Sequence, residues 1–344
     1  MGEGGGLLER LDAGPVICAE GYLFELERRG YLQAGAFVPE VVLEHPEKVT
    51  ELHREFVHAG SDVVEAFTYY AHREKLRVIG REHLLEEINR QALALARDVA
   101  RETGTLLAGN VCNTNVWTGE ESRDGVRAMF EEQVGWAVDG GADFVIGETF
   151  SWAGEAVAAT EVIKAAGMPA VVTLTPHREP DTRDGMTVAD ACRALEAAGA
   201  DVVGLNCARG PETMLPLLEQ VCAAVSVPVA ALPVPYRTTA DEPSFQSLRD
   251  PHAEGHDHRA FPSGLDPFTC TRHEIARFTA DALALGVRYL GVCCGAAPHH
   301  IRAMAEALGR TPPASRYSAD MSKHAYFGTA DGLKPEYQEY ARRL

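Results

Sequence analysis

The sequence predicts an α/β fold, a closed (β/α)8 barrel of the TIM type, and three observations carry that reading. Eight short apolar runs recur along the chain, separated by longer segments with helical spacing. The runs are almost continuously apolar rather than alternating, as strands covered on both faces must be. Small-residue turns such as Ala59-Gly60-Ser61, Gly140-Gly141-Ala142 and Ala198-Gly199-Ala200 lead from a helical segment into the next run. Glycine suits that position because a chain leaving a helix commonly passes through a left-handed residue. The predicted strands are 16–19, 62–68, 106–111, 144–147, 170–174, 202–206, 227–232 and 289–292. The predicted helices are 44–59, 84–102, 125–138, 154–166, 187–198, 212–225, 272–285 and 299–308. Eight strand-helix units argue for a closed barrel over an open doubly wound sheet, and reactive residues then belong at the carboxyl ends of strands.

Two segments stand outside this repeat. Residues 233–270, after the seventh strand, are punctuated by Pro233, Pro235, Pro243, Pro251, Pro262 and Pro267, and so long an insertion reads as a lid, a substrate loop or a contact surface. The tail beyond the last helix carries Tyr317, Tyr326, Phe327, Tyr337 and Tyr340, too apolar for a solvated tail, so it is expected to pack on the barrel or on another subunit. The expected organisation is a catalytic barrel over 1–309 and an extension over 310–344, with a role in oligomerisation.

Composition narrows the function. The 344 residues are 46% hydrophobic, ample for a buried core, and the formal net charge of −18 argues against nucleic acid as a partner. A small cationic or zwitterionic substrate suits such a field. No apolar run approaches the roughly 20 residues that span a bilayer, and Met-Gly-Glu-Gly-Gly-Gly at the start lacks the basic and apolar regions of a secretory signal, so the expectation is no membrane and a cytoplasmic setting. Eight cysteines at irregular spacing favour reduced or metal-bound thiols over a disulfide framework.

Three of those thiols stand apart. Cys293 and Cys294 end the apolar run that starts at Val287, and Cys207 closes the similar run from Asp201. Strands six and eight would deliver all three to one rim of the barrel, a soft donor set that suits zinc and leaves a fourth position for chemistry. Neighbouring residues normally point to opposite sides of a strand, but Gly295 lets the backbone turn so that both sulfurs meet one ion. The alternatives are buried structural cysteines or a cysteine nucleophile, and nothing signals activation of the latter. Cys192 and Cys222 fall on predicted helices, Cys270 begins one, and Cys18 and Cys112 lie in or beside strands. His299-His300 read as a helix start, and His252, His256 and His258 as part of a solvated acidic loop.

From Leu7-Leu-Glu-Arg-Leu to Gly291-Val-Cys-Cys-Gly-Ala-Ala-Pro-His-His-Ile-Arg, nearly the whole chain resembles the homocysteine S-methyltransferase family. Gly204-Leu-Asn-Cys207 and the Cys-Cys-Gly segment match its three zinc-binding thiolates. Within the family, the betaine-homocysteine methyltransferase branch is suggested by Glu44-His-Pro-Glu-Lys-Val, Leu52-His-Arg-Glu-Phe56, Ala66-Phe-Thr-Tyr-Tyr-Ala71 and Met321-Ser-Lys.

The resemblance implies zinc held by Cys207, Cys293 and Cys294, binding the thiol of homocysteine and keeping it as a thiolate, which attacks the methyl group of an onium donor to give methionine. By the same match Glu148 binds the amino group of homocysteine, and Tyr70 approaches zinc when substrate is absent. Glu20-Gly21 lies where the family usually has Asp-Gly-Gly. Either one glycine is deleted and the acid survives as Glu20, or Ala19 replaces the acid and Glu20 stands in for a glycine; backbone amides here would hold the amino-acid carboxylate. An onium has no proton to donate, so aromatic faces must hold it, and Phe37, Tyr69, Tyr70, Phe150, Trp152 and Trp117 are the candidates. Phe37 falls where the betaine enzymes carry tryptophan. The expected donor is glycine betaine or a related betaine. The alternatives are S-methylmethionine as donor and a non-catalytic zinc-containing thiol-binding protein. A homo-oligomer is expected from likeness of the tail.

Overall fold

A strand that is apolar on both faces needs cover on both, and the chain supplies it by alternating strands with helices. The computed structural model describes residues 5–33, 35, 37–252, 256–318, 320–325, 328, 334–341 and 343. In chain order these form α1 (Leu7–Ala13), β1 (Val16–Ala19), α2 (Tyr22–Arg28), α3 (Val41–Glu44), α4 (Pro46–Ala59), β2 (Val63–Glu65), α5 (Arg73–Val78), α6 (Leu85–Thr103), β3 (Leu106–Cys112), α7 (Arg123–Asp139) and β4 (Phe144–Phe150). The second half continues with α8 (Ala153–Ala165), β5 (Ala170–Leu174), α9 (Val188–Ala197), β6 (Val202–Asn206), α10 (Pro211–Cys222), β7 (Val229–Leu232), α11 (Arg272–Leu285), β8 (Tyr289–Val292), α12 (Pro298–Ala307) and α13 (Pro335–Ala341). The eight strands pair in sequence order, all parallel, and form a closed barrel. Closure comes from β1 against β8, in the register Val16↔Tyr289, Ile17↔Leu290, Cys18↔Gly291 and Ala19↔Val292. Every strand residue is buried, so the barrel is a packed core and not a pore.

Local sequence explains the helices. In α6, Leu85, Ile88, Ala92, Leu93, Ala96, Val99 and Ala100 recur three and four apart and are buried, and Gly104 at φ 71° ends the helix. Thr271 and Glu274 form a capping box at the start of α11, and Gly286 at φ 99° stops it. The helix expected over 44–59 starts at Pro46 instead, with the separate short helix Val41–Glu44 before it, because His45 precedes Pro46 and the residue before proline is driven out of the helical region; His45 has φ −140°.

Other boundaries also move. β4 runs to Phe150, past the expected end at residue 147, so Glu148 lies inside the strand, whereas β2 covers only 63–65 of the expected 62–68 because Thr68 N–H turns back to the Ala66 carbonyl at 2.7 Å. The short helices α1, α2 and α5 have no counterpart among the sequence expectations. Of these, α2 matters most, since it starts directly after Glu20-Gly21.

The start of the tail is tied to the amino-terminal end of the barrel. Asp62 Oδ2 accepts from Ile17 N–H at 2.8 Å and from Arg310 Nη1 at 2.6 Å, and Arg310 Nη2 also donates to the Pro15 carbonyl. The turn Pro313–Tyr317 packs on α4 and α12, while Met321, Tyr337 and Tyr340 are exposed. Tyr326 and Phe327 lie outside the described residues, as does the side chain of Tyr317. Among the described residues no helix is long and apolar enough to cross a membrane.

Closure leaves no room for side chains at two strand positions. A Cβ on Gly204 would lie 2.0 Å from the Ala230 carbonyl oxygen, and one on Gly291 would lie 2.1 Å from the Cys18 carbonyl oxygen and 2.4 Å from Leu232 Cδ2. Gly291→Ala therefore has to push β1 away from β8. It should cost about 3 kcal/mol, the upper end for overpacked cores, read as a lowered urea midpoint.

Candidate metal and substrate site

The thiol trio is assembled by strand ends. Cys207 follows β6 directly and Cys293-Cys294 follow β8. The end of β7 holds both segments, since Cys207 N–H donates to the Leu232 carbonyl and Cys293 N–H to the Pro233 carbonyl, each at 2.9 Å. Cys207 and Ala208 adopt left-handed φ of 57° and 48°, and Gly295 does so at 95°, where a Cβ would strike the Tyr236 hydroxyl at 2.3 Å. Arg28 braces this turn, donating to the Gly295 carbonyl at 3.2 Å and to the Tyr236 hydroxyl at 2.9 Å. The three sulfurs lie within 4.8 Å of one another. Ligands at the Zn–S length of about 2.3 Å in a tetrahedron would stand about 3.8 Å apart, so the set fits zinc with small side-chain adjustment. In the metal-free trio, hydrogen bonds from Cys293 and Cys294 hold the Cys207 thiol well below its usual range, while sharing with Cys207 pushes the other two up.

Beneath the thiols lies a recess of about 20 Å³ lined by Glu20, Glu65, Asn110, Glu148, Cys293 and Cys294, among others. Asn110 Nδ2 donates to Glu148 Oε1 at 2.6 Å and to Glu65 Oε1 at 2.5 Å. Glu148 Oε2 accepts from Asn206 Nδ2 at 2.9 Å and from Thr149 Oγ1 at 3.1 Å. Asn206 also accepts from Thr149 N–H at 2.9 Å and reaches Cys293 Sγ at 3.8 Å, which ties β4, β6 and β8 together. Both carboxylate oxygens of Glu20 and Oε2 of Glu65 are buried with no hydrogen-bond partner among the described residues. Burial pushes Glu148 up to about 7, against the opposing hydrogen bond from Asn110. Glu20 and Glu65 are raised well above the usual carboxylate range, first by burial and then by the charge of Glu148. Such a recess attracts a cationic group. Glu65, Asn110 and Asn206 were not foreseen; the signal was a polar side chain inside a strand otherwise apolar on both faces, costly unless it has a use.

Above the trio opens a cavity of about 380 Å³. Cys207 and Cys294 form part of its wall, and so do Phe37, Tyr69, Tyr70, Trp117 and Trp152, five of the six rings expected there. Phe150 is not among them. It is fully buried, edge-on to Phe130 at 5.9 Å, because the extra length of β4 carries its ring into the layer between barrel and helices. Gly21 does not line the cavity either: at the start of α2 its missing side chain lets Ala296 approach, whose Cβ would be 2.5 Å from a Cβ on Gly21. The long loop after β7 does reach the cavity, through Phe245, Gln246 and Phe261. Of the eight non-glycine residues with left-handed φ among those described, Phe37, Tyr70, Asn115, Thr149 and Cys207 line this cavity, the clustering of backbone strain expected at a functional site. The Tyr70 ring lies under Lys75 Nζ at 4.1 Å, and burial pushes its phenol up to about 12. His300 accepts from Ala297 N–H at 3.1 Å at the start of α12, and His252 and His258 are exposed.

Fold and site together define a (β/α)8 barrel with a three-thiol centre facing a ring-lined cavity. The homocysteine S-methyltransferase family profile matches residues 17–308, and the chain belongs to that family. It is 37% identical to betaine–homocysteine S-methyltransferase 1 of Xenopus tropicalis, across 98% of this chain and 84% of the relative. It is 36% identical to the S-methylmethionine–homocysteine S-methyltransferase BHMT2 of Pongo abelii, across 98% and 91%. The homocysteine methyltransferase MmuM of Escherichia coli, in its metallated form, shares the fold with a TM-score of 0.67 at 20% identity, over 86% of this chain and 98% of that one. The chain is therefore an S-methyltransferase with homocysteine as methyl acceptor, which sets aside the non-catalytic alternative.

The raised acids make stability pH-dependent. A carboxyl whose folded pKa lies above its unfolded value of 4.5 keeps its proton longer in the fold, so its contribution is complete below about pH 4.5 and is lost as pH rises through the folded pKa. Metal-free protein should lose stability between pH 5 and pH 8, and Glu65→Gln should shrink that loss. Urea midpoints at the two pH values provide the check.

Proposed function

We propose that this chain transfers a methyl group from glycine betaine or a related betaine to the thiol of L-homocysteine, giving methionine, with Zn2+ held by Cys207, Cys293 and Cys294. The observation that carries the reading is three thiols within 4.8 Å of one another, opening onto a cavity walled by aromatic rings. Zinc bound there would supply the Lewis acidity that keeps the acceptor thiol deprotonated at neutral pH.

The protein's own residues do the rest. Glu148, fixed by Asn110, Asn206 and Thr149, accepts the ammonium of homocysteine, and Glu20 adds negative charge in the same recess. The amides at Gly21 are assigned to the amino-acid carboxylate. Phe37, Tyr70 and Trp152 face the onium, whose charge interacts with their ring faces without any hydrogen bond. Sulfur then forms its bond to the methyl carbon as the carbon–nitrogen bond breaks, and the nitrogen keeps the electron pair and leaves as a neutral tertiary amine. No covalent adduct with the protein is needed, so the acceleration comes from alignment and from exclusion of water by the walls. Without substrate, Tyr70, which lines the same cavity as Cys207 and Cys294, would be the residue to approach the zinc.

A second reading takes S-methylmethionine as donor, on the strength of the 36% identity to the BHMT2 relative. Residues 310–344 are assigned as an extension to the 1–309 barrel that serves homo-oligomerisation, supported by exposed Met321, Tyr337 and Tyr340, with methionine biosynthesis in the cytoplasm as the setting.

A donor panel with homocysteine tests the proposal: methionine should form fastest from a betaine. Cys207→Ala should lower zinc content and cut turnover by more than about 100-fold, beyond what losing an outer hydrogen bond to a metal ligand costs. A variant that kept both zinc and full turnover would overturn the assignment.

A further inference from the structure

The cavity contains a group that an onium site should not have. Arg183, in the loop between β5 and α9, lines the same space as the aromatic rings, and among the described residues its guanidinium makes no ion pair and no hydrogen bond. The one carboxylate in that wall, Glu155, has its Oε1 committed to Thr114, accepting from N–H at 2.7 Å and from the hydroxyl at 2.6 Å. An unpaired cation beside a site for a cationic donor is repulsive unless the donor also carries an anion.

The surrounding bonds fix the backbone at Arg183, whose side chain is exposed on the cavity wall with Glu155 as its electrostatic neighbour. Its N–H donates to the Ser151 carbonyl at 2.8 Å, next to Trp152. The neighbouring Asp184 takes the first two amides of α8, accepting from Ala153 N–H at 3.0 Å and Gly154 N–H at 2.9 Å. Gly154 is in turn pressed against Trp117, whose Cζ2 would be 2.8 Å from a Cβ there. Thr182 and Met186 close the loop with three hydrogen bonds, Thr182 N–H to the Met186 carbonyl at 2.9 Å, Thr182 Oγ1 to the same carbonyl at 3.2 Å and Met186 N–H to Thr182 Oγ1 at 3.1 Å. The loop is thereby docked on the start of α8 between two cavity tryptophans.

Resting on the methyl-transfer reading above, we propose that Arg183 anchors a carboxylate on the methyl donor, so that the enzyme selects zwitterionic onium acids over simple onium cations. A planar guanidinium matches a carboxylate with paired hydrogen bonds, and the rings take the other end of the donor. A glycine-type betaine and S-methylmethionine both carry such a carboxylate. Choline-like cations and tetramethylammonium do not.

Calorimetric titration of zinc- and homocysteine-loaded protein with glycine betaine, S-methylmethionine and tetramethylammonium tests this, beside methionine formation from the first two. Arg183→Gln should weaken binding, and raise the KM, of the donor that is used by about tenfold or more, the scale of a lost charged hydrogen bond. Tetramethylammonium should bind unchanged or tighter once the positive charge is gone, the KM for homocysteine should hold, and Arg183→Lys should recover part of the loss. Whichever of the two zwitterions responds is the donor whose carboxylate Arg183 holds. Equal weakening of zwitterion and tetramethylammonium, or no change for either zwitterion, overturns the proposal. If the parent protein binds a zwitterion with this Arg183 dependence but forms no methionine, the transferase reading falls and the anchor stands; if it binds neither zwitterion, both fall.

Discussion

The pairing of β1 with β8 is the constraint on which the rest depends. Four residue pairs close the barrel and bring the two ends of a long chain to one rim, so that Glu20, following β1, comes to lie within 4.8 Å of Cys293, following β8. Closure also removes every free sheet edge and leaves Gly204 and Gly291 with no space for a side chain. No local segment contains the site. It exists only when residues from the first, fourth, sixth and eighth strands are brought round.

At that rim the chemistry is organised by amide side chains. Asn206 joins Glu148, Thr149 and Cys293, and Asn110 bridges Glu148 and Glu65, so the acids and thiols of three strand ends share one hydrogen-bond network. The network leaves three buried acids close together, all raised by burial, with both oxygens of Glu20 and Oε2 of Glu65 lacking a hydrogen-bond partner among the described residues. In the proposed reading the ammonium of the acceptor amino acid offsets them there. The cavity above is lined by aromatic rings and, at the docked loop after β5, by Arg183, whose guanidinium makes no ion pair among the described residues. In the proposed reading, an acidic floor and a partly basic wall would orient two zwitterions in one cleft.

Much of this was legible residue by residue. The apolar runs marked all eight strands, because strands covered on both faces have no polar alternation to blur them, and the thiols of Cys207, Cys293 and Cys294 stood out because soft ligands at strand ends are chemically distinctive. Glu65, Asn110 and Asn206 were equally visible in the chain, but a polar residue in a strand reveals nothing about which strand it faces until the barrel closes. Phe150 shows the converse error. Its ring type suited a cage, yet two more residues of strand turned it away from the cavity.

The sequence by itself pointed to the barrel and to the three thiols that the fold brings within 4.8 Å of one another, since these follow from periodicity, glycine placement and residue chemistry, all local properties. Only the tertiary structure decided which rings line the cavity, that the loop after β7 contributes Phe245, Gln246 and Phe261 to it, and that Arg183 stands beside them with no ion pair among the described residues. Those facts depend on side-chain direction at strand ends and on how loops dock. Such properties come from contacts between residues far apart in the chain, and no local pattern encodes them.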